Sequence, residues 1–171
     1  MTEARRRASP KVTIDAPPPN YRPCVGIVLI NKAGLVFIGE RRGVNGDSWQ
    51  MPQGGIDDGE QPLAAAKREL LEETGVEQIE FLAECDQWHC YDIPEAWRPG
   101  HWKGRYAGQC QRWFAFRFSG EDSHIDLDAY EPEFSLWRWA KPEEVVTLVV
   151  SFKRDIYRAV INEFRPFLAQ D

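Results

Sequence analysis

The sequence lacks any apolar run that approaches the ~20 residues needed to cross a bilayer, and its N-terminus lacks the apolar centre of a signal peptide. We therefore expect a cytoplasmic protein with no membrane partner. Cysteine is scarce, and no two cysteines form a C-x2-C pair; the four are Cys24, Cys85, Cys90 and Cys110. We expect them to be reduced thiols, with neither zinc nor a disulfide bond.

The chain also lacks an excess of basic residues. Its 21 Lys and Arg residues face 27 Asp and Glu residues, which gives a net charge of −6. A protein that grips a long nucleic acid through its phosphates usually carries a broad basic surface. The charge therefore favours an enzyme that reads a short, phosphate-dense end.

The length of 171 residues and the 43% hydrophobic content predict one domain with a sizeable core. Residues 1–20 contain Arg5-Arg6-Arg7 and Pro17-Pro18-Pro19 and are expected to be a disordered leader. The predicted domain therefore covers residues 21–171.

Apolar periodicity predicts strands and helices along this domain. The predicted strands cover residues 24–31, 35–40, 79–84, 109–118 and 136–140, with the first two joined as a hairpin. One helix is predicted at 61–74, a second begins near Lys141, and an amphipathic helix covers 151–168 with the stripe Phe152, Ile156, Val160 and Phe164. Separated helices and strands predict a mixed sheet between helical layers.

Three glutamates crowd one face of the helix predicted at 61–74. Glu69 and Glu73 are i,i+4 neighbours, and Glu72 is i+3 from Glu69. Each such pair of like charges costs roughly 0.2–0.5 kcal/mol even when solvated. A divalent ion such as Mg²⁺ or Mn²⁺, which prefers oxygen ligands, would turn that repulsion into attraction.

A charged surface that faces water would also explain such a run of glutamates. Other residues in register with them favour a functional site instead: Gly54, Glu60, Arg68 and Gly75. Glycine at position 54 lets the backbone approach a ligand closely, and Arg68 can hold a carboxylate by a charge-assisted hydrogen bond.

The pattern Gly54-x5-Glu60-x7-Arg68-Glu69-Leu70-x-Glu72-Glu73-x-Gly75-Val76 resembles the Nudix box at every defined position. The resemblance implies an α/β/α sandwich with a mixed central sheet and hydrolysis of a nucleoside diphosphate linked to another group. It also implies two or more Mg²⁺ or Mn²⁺ ions, bound by Glu69, Glu72 and Glu73 with the Gly54 carbonyl.

Strings outside the box are similar to one branch of that family, the bacterial RNA 5′-pyrophosphohydrolases, also called dinucleoside polyphosphate hydrolases. They begin at Tyr21, Ser48, Gly108, Pro132 and Ser151. The substrates implied are 5′-phosphorylated RNA ends, dinucleoside polyphosphates, or both. The substrate-binding candidates are Arg22, Arg42, Ser48, Gln109, Gln111, Phe152 and Lys153.

Within that resemblance, Arg22, Lys153 and Gln109 would lie near the polyphosphate or the leading nucleotide, and Arg42 and Phe152 would sandwich a base. By the same resemblance, Glu133 would be a fourth metal ligand or the general base. The candidates for the general base are Glu69, Glu72 and Glu133. Arg68 is expected to orient a carboxylate of the box.

Three other interpretations remain open. The chain could prefer diadenosine tetra- or pentaphosphate, with RNA ends secondary. It could be a non-catalytic binding module, although the intact glutamate set argues against that. It could isomerise a prenyl diphosphate, which would call for an active-site cysteine in a matching string. Residues 88–105 form an aromatic, basic insertion that would serve either as a lid or as a self-packed loop.

Overall fold

The computed structural model describes residues 16–43, 48–100 and 104–170; most of the predicted leader lies outside them. Within these residues, eight strands form one mixed sheet. The strands are β1 Tyr21–Ile30, β2 Val36–Arg41, β3 Trp49–Gln50, β4 Gln53–Gly55, β5 Ile79–Glu84, β6 His89–Asp92, β7 Gly108–Phe118 and β8 Phe134–Ala140. The helices are α1 Pro62–Thr74, α2 Pro142–Leu148 and α3 Arg154–Glu163.

The centre of the sheet is the parallel pair β1 and β7, which is in register from Tyr21 opposite Gly108 to Ile30 opposite Arg117. Strand β1 is buried on both faces, as its apolar run predicts. In β7, Trp113 packs into one core cluster and Phe114 into the other. The alternation in the sequence thus correctly predicts the two faces of this strand.

Helices cover both faces of the sheet, so the predicted α/β/α sandwich with a mixed sheet is confirmed. On one face, α1 contributes Ala66 and Leu70 to a core with alternate residues of β1 and β7. On the other face, α2 and α3 pack Val145, Tyr157 and Val160 against the sheet. None of the helices in the described part of the chain has the length and apolar character that crossing a membrane requires.

The short strands β3 and β4 fill a gap between β1 and β2. The predicted hairpin is present, but β1 and β2 pair only at Ile30 and Val36. Beyond that point, β4 pairs with the edge of β1 that faces β2, and β3 pairs with the edge of β2 that faces β1. The opposite edges of β1 and β2 pair with β7 and β8. This insertion leads the chain directly from the middle of the sheet into α1.

Helix α1 begins and ends close to the predicted residues. Pro62 occupies the first turn, where its missing N–H costs little. Gly75 ends the helix with a φ of 72°, and its N–H donates to the Leu71 carbonyl at 2.8 Å. A left-handed residue at this position is the usual role of glycine after a helix.

The single helix predicted for 151–168 is divided into three parts. Ser151–Lys153 and Arg165–Phe167 are 3-10 turns on either side of α3. Pro166 has no N–H to continue the helix. Ile156 is buried with the rest of the predicted stripe, whereas Phe152 is only partly buried because it lies before α3 begins.

The expectation of four reduced thiols is wrong for one pair. Cys90 in β6 lies directly opposite Cys110 in β7, and the two form a disulfide bond. Opposed residues of an antiparallel pair bring their side chains together. Because β6 is a strand of only four residues, its pairing gives no periodic signal in the sequence. Cys24 and Cys85 are free and buried.

The contact between β1 and β7 predicts the effect of one glycine substitution. A Cβ atom added at Gly26 would lie 2.5 Å from the Trp113 ring, which is fully buried. We expect Gly26→Ala to lower the free energy of unfolding by about 1–3 kcal/mol, because the indole must leave its packed position. Urea denaturation measures this difference.

The matched control is Gly100→Ala, since an added Cβ there meets nothing within 4 Å. Equal unfolding free energies for the two variants would contradict the packing described for β1 and β7.

Candidate active site

A cleft of about 600 Å³ opens beside α1 and the inserted strands. Its acidic side chains are Glu69, Glu72, Glu73, Glu131 and Glu133. Its cationic side chains are Arg22, Arg41 and Lys153. Its aromatic side chains are Trp49, Tyr91, Trp97 and Phe152.

Glu73 is the most enclosed of the box glutamates, with 7% of its surface exposed. The backbone N–H of Gln53 donates to its carboxylate at 3.3 Å. Burial raises the pKa of Glu73 well above that of a free glutamate, and the charges of Glu69 and Glu133 raise it further. This carboxylate therefore needs a proton or a cation beside it.

Glu69 lies one helical turn from Glu73 and is held against the backbone of β4. Burial raises the pKa of Glu69 to about 7, although neighbouring Arg68 acts in the opposite direction. A Cβ atom at Gly54 would overlap the Glu69 carboxylate. Only glycine allows this close approach between the helix side chain and the strand.

Arg68 connects the carboxylates of α1 to the loop before the helix. Its guanidinium donates to Glu60 at 2.8 and 2.9 Å, to Glu69 at 2.9 Å and to Glu72 at 3.2 Å. It also donates to the Gly55 carbonyl at 2.8 Å. The hydrogen bond from Arg68 lowers the pKa of Glu60. Arg68 does not line the cleft, so its contacts are those of a residue that positions carboxylates.

The acidic side of the cleft fits a divalent cation. Glu69, Glu72 and Glu73 all line it, and Arg68 supplies only one positive charge among them. Burial, and after it repulsion from neighbouring carboxylates, raises the pKa of Glu69 and Glu73, so a cation beside them would favour their charged forms. Clustered carboxylate oxygens suit Mg²⁺ or Mn²⁺.

Lys153 stands on the cationic side of the cleft and is itself buried, with 6% of its surface exposed. Its Nζ donates to Gln50 Oε1 and Gln53 Oε1, each at 3.3 Å. Burial, together with the charge of Arg41, lowers the pKa of Lys153 to about 8. Gln53 thus contacts the acidic side through its N–H and the cationic side through its side chain.

Three of the aromatic side chains that line the cleft lie close to one another. The ring of Phe152 lies edge-on to Trp97 at 5.4 Å between centroids and 5.7 Å from Tyr91. The Tyr91 hydroxyl donates to Gln109 Oε1 at 2.6 Å. Trp97 is 49% exposed and belongs to the insertion, so this insertion contributes directly to the cleft.

Most of the predicted site residues come together at this cleft. Those that line it are Gly54, Glu69, Glu72, Glu73, Glu133, Arg22, Ser48, Gln109, Phe152 and Lys153. Gln111 lies just behind, where its Nε2 donates to Gln53 Oε1 at 2.9 Å. The catalytic and binding roles of all these residues stay predictions.

Arg42 does not lie in the cleft, so the structure does not bring together the predicted pair of Arg42 and Phe152. Arg42 forms an ion pair with Asp128 and donates to the Phe134 carbonyl at 3.0 Å. Arg41 lines the cleft instead, 3.7 Å from a Glu133 oxygen. A shift in the register of β2 and β8 falls between Glu40 and Arg41, and period-two reasoning cannot anticipate it.

Sequence reasoning missed several other lining residues: Arg41, Gln53, Tyr91, Trp97 and Glu131. Gln53 and Arg41 each stand beside a residue that the sequence did predict, Gly54 and Arg42. Tyr91 and Trp97 belong to the insertion, whose aromatic and basic composition was the available signal.

The sandwich fold and a carboxylate cluster opposite Lys153, Arg22 and Arg41 define a hydrolase class that acts on phosphate-rich substrates with the help of divalent ions. A model of the NUDIX domain matches residues 20–160. The chain belongs to the Nudix family and is a Nudix hydrolase.

Curated relatives agree with this assignment over nearly their whole length. A protein of Cereibacter sphaeroides (strain ATCC 17029 / ATH 2.4.9) named RNA pyrophosphohydrolase is 50% identical over 92% of this chain and 98% of its own. One of Roseobacter denitrificans, also named RNA pyrophosphohydrolase, is 53% identical over 86% of this chain and 94% of its own.

Solved structures share the fold. The dihydroneopterin triphosphate pyrophosphohydrolase of E. coli has a TM-score of 0.65 at 21% identity, over 84% of this chain and 98% of its own. The Ap4A hydrolase of C. elegans, in a binary complex, has a TM-score of 0.63 at 18% identity, over 85% and 98%.

The raised pKa of Glu69 predicts how stability depends on pH. Its folded pKa of about 7 exceeds the ordinary 4.5, so its contribution is complete below about pH 4.5 and is lost as the pH rises through about 7. A bound divalent ion favours the charged form and offsets the loss. We expect the difference in Tm between MgCl₂ and EDTA to widen from about pH 5 to about pH 8.

Thermal denaturation of the Glu69→Gln variant should show a smaller widening. The exposed Glu77→Gln variant should behave like the unmodified chain. A Tm difference that is the same at both pH values would argue against an ion at these carboxylates.

Proposed function

We propose that this chain hydrolyses a phosphoanhydride bond at the 5′ end of tri- or diphosphorylated RNA and leaves a 5′-monophosphate. The observation that carries the proposal is the cleft in which Glu69, Glu72 and Glu73 face Lys153 and Arg41. The name RNA pyrophosphohydrolase, borne by relatives that are about half identical over nearly their full length, supports RNA as the substrate.

The proposed cofactor is Mg²⁺ or Mn²⁺, with two or more ions. Glu69, Glu72 and Glu73 would hold them, with the Gly54 carbonyl and Glu133 as further ligands. When bound, such ions neutralise phosphate oxygens and lower the pKa of a coordinated water. Their oxygen-ligand preference matches the donor atoms on the acidic side of the cleft.

The chain's own residues would position the carboxylates and the substrate. Arg68 fixes Glu69 and Glu72 at 2.9 and 3.2 Å and so limits the directions in which their free oxygens point. The general base is drawn from Glu69, Glu72 and Glu133. Glu73 is the least suited to that role, because its carboxylate is enclosed and already accepts from the Gln53 N–H.

Lys153, Arg22 and Arg41 would bind the oxygens of the polyphosphate from the opposite side. With a pKa of about 8, Lys153 is mostly protonated at neutral pH, and a phosphate beside it would favour that charged form. The amides of Gln50 and Gln53 hold its ammonium group in place. This side of the cleft would therefore select a substrate rich in negative charge.

The aromatic group of Phe152, Trp97 and Tyr91 would receive the first base. Stacking on such rings contributes about 1–3 kcal/mol per base without strict sequence choice. With a net charge of −6, the chain would bind the phosphates of a long RNA only weakly. The proposed enzyme thus reads the end of the RNA and its leading nucleotide.

A dinucleoside polyphosphate is the second candidate substrate. Trp49 adds another aromatic surface to the cleft, so a second base would have a ring on which to stack. The polyphosphate between the two bases would meet the same cations and carboxylates as the RNA end. The products would be a nucleotide and a shorter polyphosphate.

Turnover on both substrates tests the proposal. With MgCl₂ we expect 5′-triphosphorylated RNA to yield a 5′-monophosphate end plus pyrophosphate or phosphate, with a higher kcat/KM than diadenosine tetraphosphate. EDTA should abolish both reactions. Glu69→Gln and Glu73→Gln should each lose orders of magnitude in kcat, because each removes a proposed ligand.

Glu77→Gln is the matched control, since Glu77 is exposed and does not line the cleft. Either glutamine variant retaining more than about a tenth of the original kcat at saturating Mg²⁺ would refute the ligand assignment. A higher kcat/KM on diadenosine tetraphosphate would refute RNA as the main substrate.

The neighbouring arginines of β2 allow a paired comparison. Arg41 lines the cleft, whereas Arg42 is engaged with Asp128 outside it. We expect Arg41→Gln to lower kcat/KM on triphosphorylated RNA by about tenfold or more, because a charged contact with phosphate is worth about 1.5–3 kcal/mol. Steady-state kinetics would show Arg42→Gln close to the original value, and the reverse order would refute this assignment of the two side chains.

A further inference from the structure

Three potential metal ligands meet on the face of the sheet that α3 covers. Cys85 directly follows β5, His89 begins β6, and Glu163 ends α3. One ligand atom from each lies within 4.8 Å of the other two. None of the three lines the cleft.

We propose that Cys85, His89 and Glu163 form a second metal site, which binds one divalent ion of the zinc class. This site is separate from the carboxylate cluster of α1, because α1 packs on the opposite face of the sheet.

The chemistry of the donors distinguishes this site from the cleft. A thiolate and an imidazole suit Zn²⁺ and similar borderline-soft ions, whereas the oxygens of the box suit Mg²⁺ or Mn²⁺. Cysteine sulfur, histidine nitrogen and carboxylate oxygen each serve as zinc ligands, and a site with three protein ligands leaves the fourth position to water.

The distances need only a small adjustment. A tetrahedral zinc ion with bonds of about 2.0–2.3 Å holds its ligand atoms roughly 3.3–3.8 Å apart. His89 Nε2 already lies 3.9 Å from Glu163 Oε2. The three ligand atoms lie within 4.8 Å of one another, so closing around such an ion moves no pair by more than about 1.5 Å.

The backbone holds the three residues in place without the ion. The Cys85 N–H donates to the Trp113 carbonyl at 2.8 Å, and the Asp86 N–H donates to Glu163 Oε1 at 3.3 Å. His89 is fixed by the pairing of β6 with β7. The Glu163 side chain is 37% exposed, so the cluster reaches the surface at this residue, while Cys85 is buried.

The charges at the site balance when an ion is bound. The Cys85 thiol interacts with the Glu163 carboxylate, and a metal would displace its proton. The resulting thiolate and carboxylate would neutralise a divalent ion. Arg112 is the nearby opposing charge, and Glu84 pairs with it at 3.7 Å.

A bound ion would tie together parts of the chain that lie far apart in sequence. It would join the connection between β5 and β6 to the last residue of α3. Glu163 is ten residues from Lys153, so α3 places the ion about 15 Å along the helix from the cleft.

Cobalt titration of the full chain tests the proposal, because a thiolate bound to Co²⁺ gives a near-ultraviolet charge-transfer band that a carboxylate site does not. We expect the band to saturate at one ion per chain, in buffer without thiol reductant. His89→Gln and Glu163→Gln should lose it, as should Cys85→Ser. The band should persist in Cys24→Ser, which removes the other free buried cysteine.

The Glu69→Gln variant separates this proposal from the function of the cleft, since it should lose turnover yet keep the band. If Cys85→Ser fails to fold, the two variants at the partly exposed His89 and Glu163 decide. No band in the unmodified chain, or a band that survives in His89→Gln or is lost in Cys24→Ser, would overturn the site.

Discussion

The structure around the cleft depends on one constraint: several carboxylates are kept close together on a short stretch of α1. Arg68 offsets part of their repulsion by bonding to Glu60, Glu69 and Glu72. Gly54 allows the backbone of β4 to touch the Glu69 carboxylate from the other side. Neither contact neutralises the cluster, and burial, reinforced by the charge of Glu72, still raises the pKa of Glu69 to about 7. An arrangement that gathers buried negative charge in this way would be stabilised by a divalent cation beside it.

The separation of β1 and β2 beyond their closed end explains how the sheet supports the carboxylate cluster of α1. Because the hairpin pairs only at its closed end, residues 49–55 enter the sheet between its strands. This brings Gly54 beneath α1, and places Gln53 between Glu73 and Lys153. The acidic and cationic sides of the cleft are therefore connected through one residue, Gln53, by its backbone N–H and its side-chain oxygen. The fold supplies this proximity before any substrate binds.

The long strands and helices could be predicted because their residue patterns are regular. The short strands and the register shift could not, because they leave no regular pattern in the sequence. Strand β7 was predicted from its alternating residues and the end of α1 from Gly75, because both signals depend on local geometry. Which of Arg41 and Arg42 lines the cleft depends on a shift in the register between β2 and β8. Strands of two to four residues such as β3 and β6 contain too few repeats for a period to appear. Cys85 and Glu163 meet only through tertiary packing, which no spacing along the chain records.

The bond between Cys90 and Cys110 closes a covalent ring whose two sulfurs are 20 positions apart in sequence. Trp97 belongs to that ring, and Tyr91 and Gln109 are its members next to the bridge. Cross-linking a loop of this length removes conformations from the unfolded chain worth about 3 kcal/mol in the loop-closure model. Tyr91 and Trp97 of the cleft thus belong to a disulfide-closed ring, which restricts the conformations of this stretch of chain even before the domain folds.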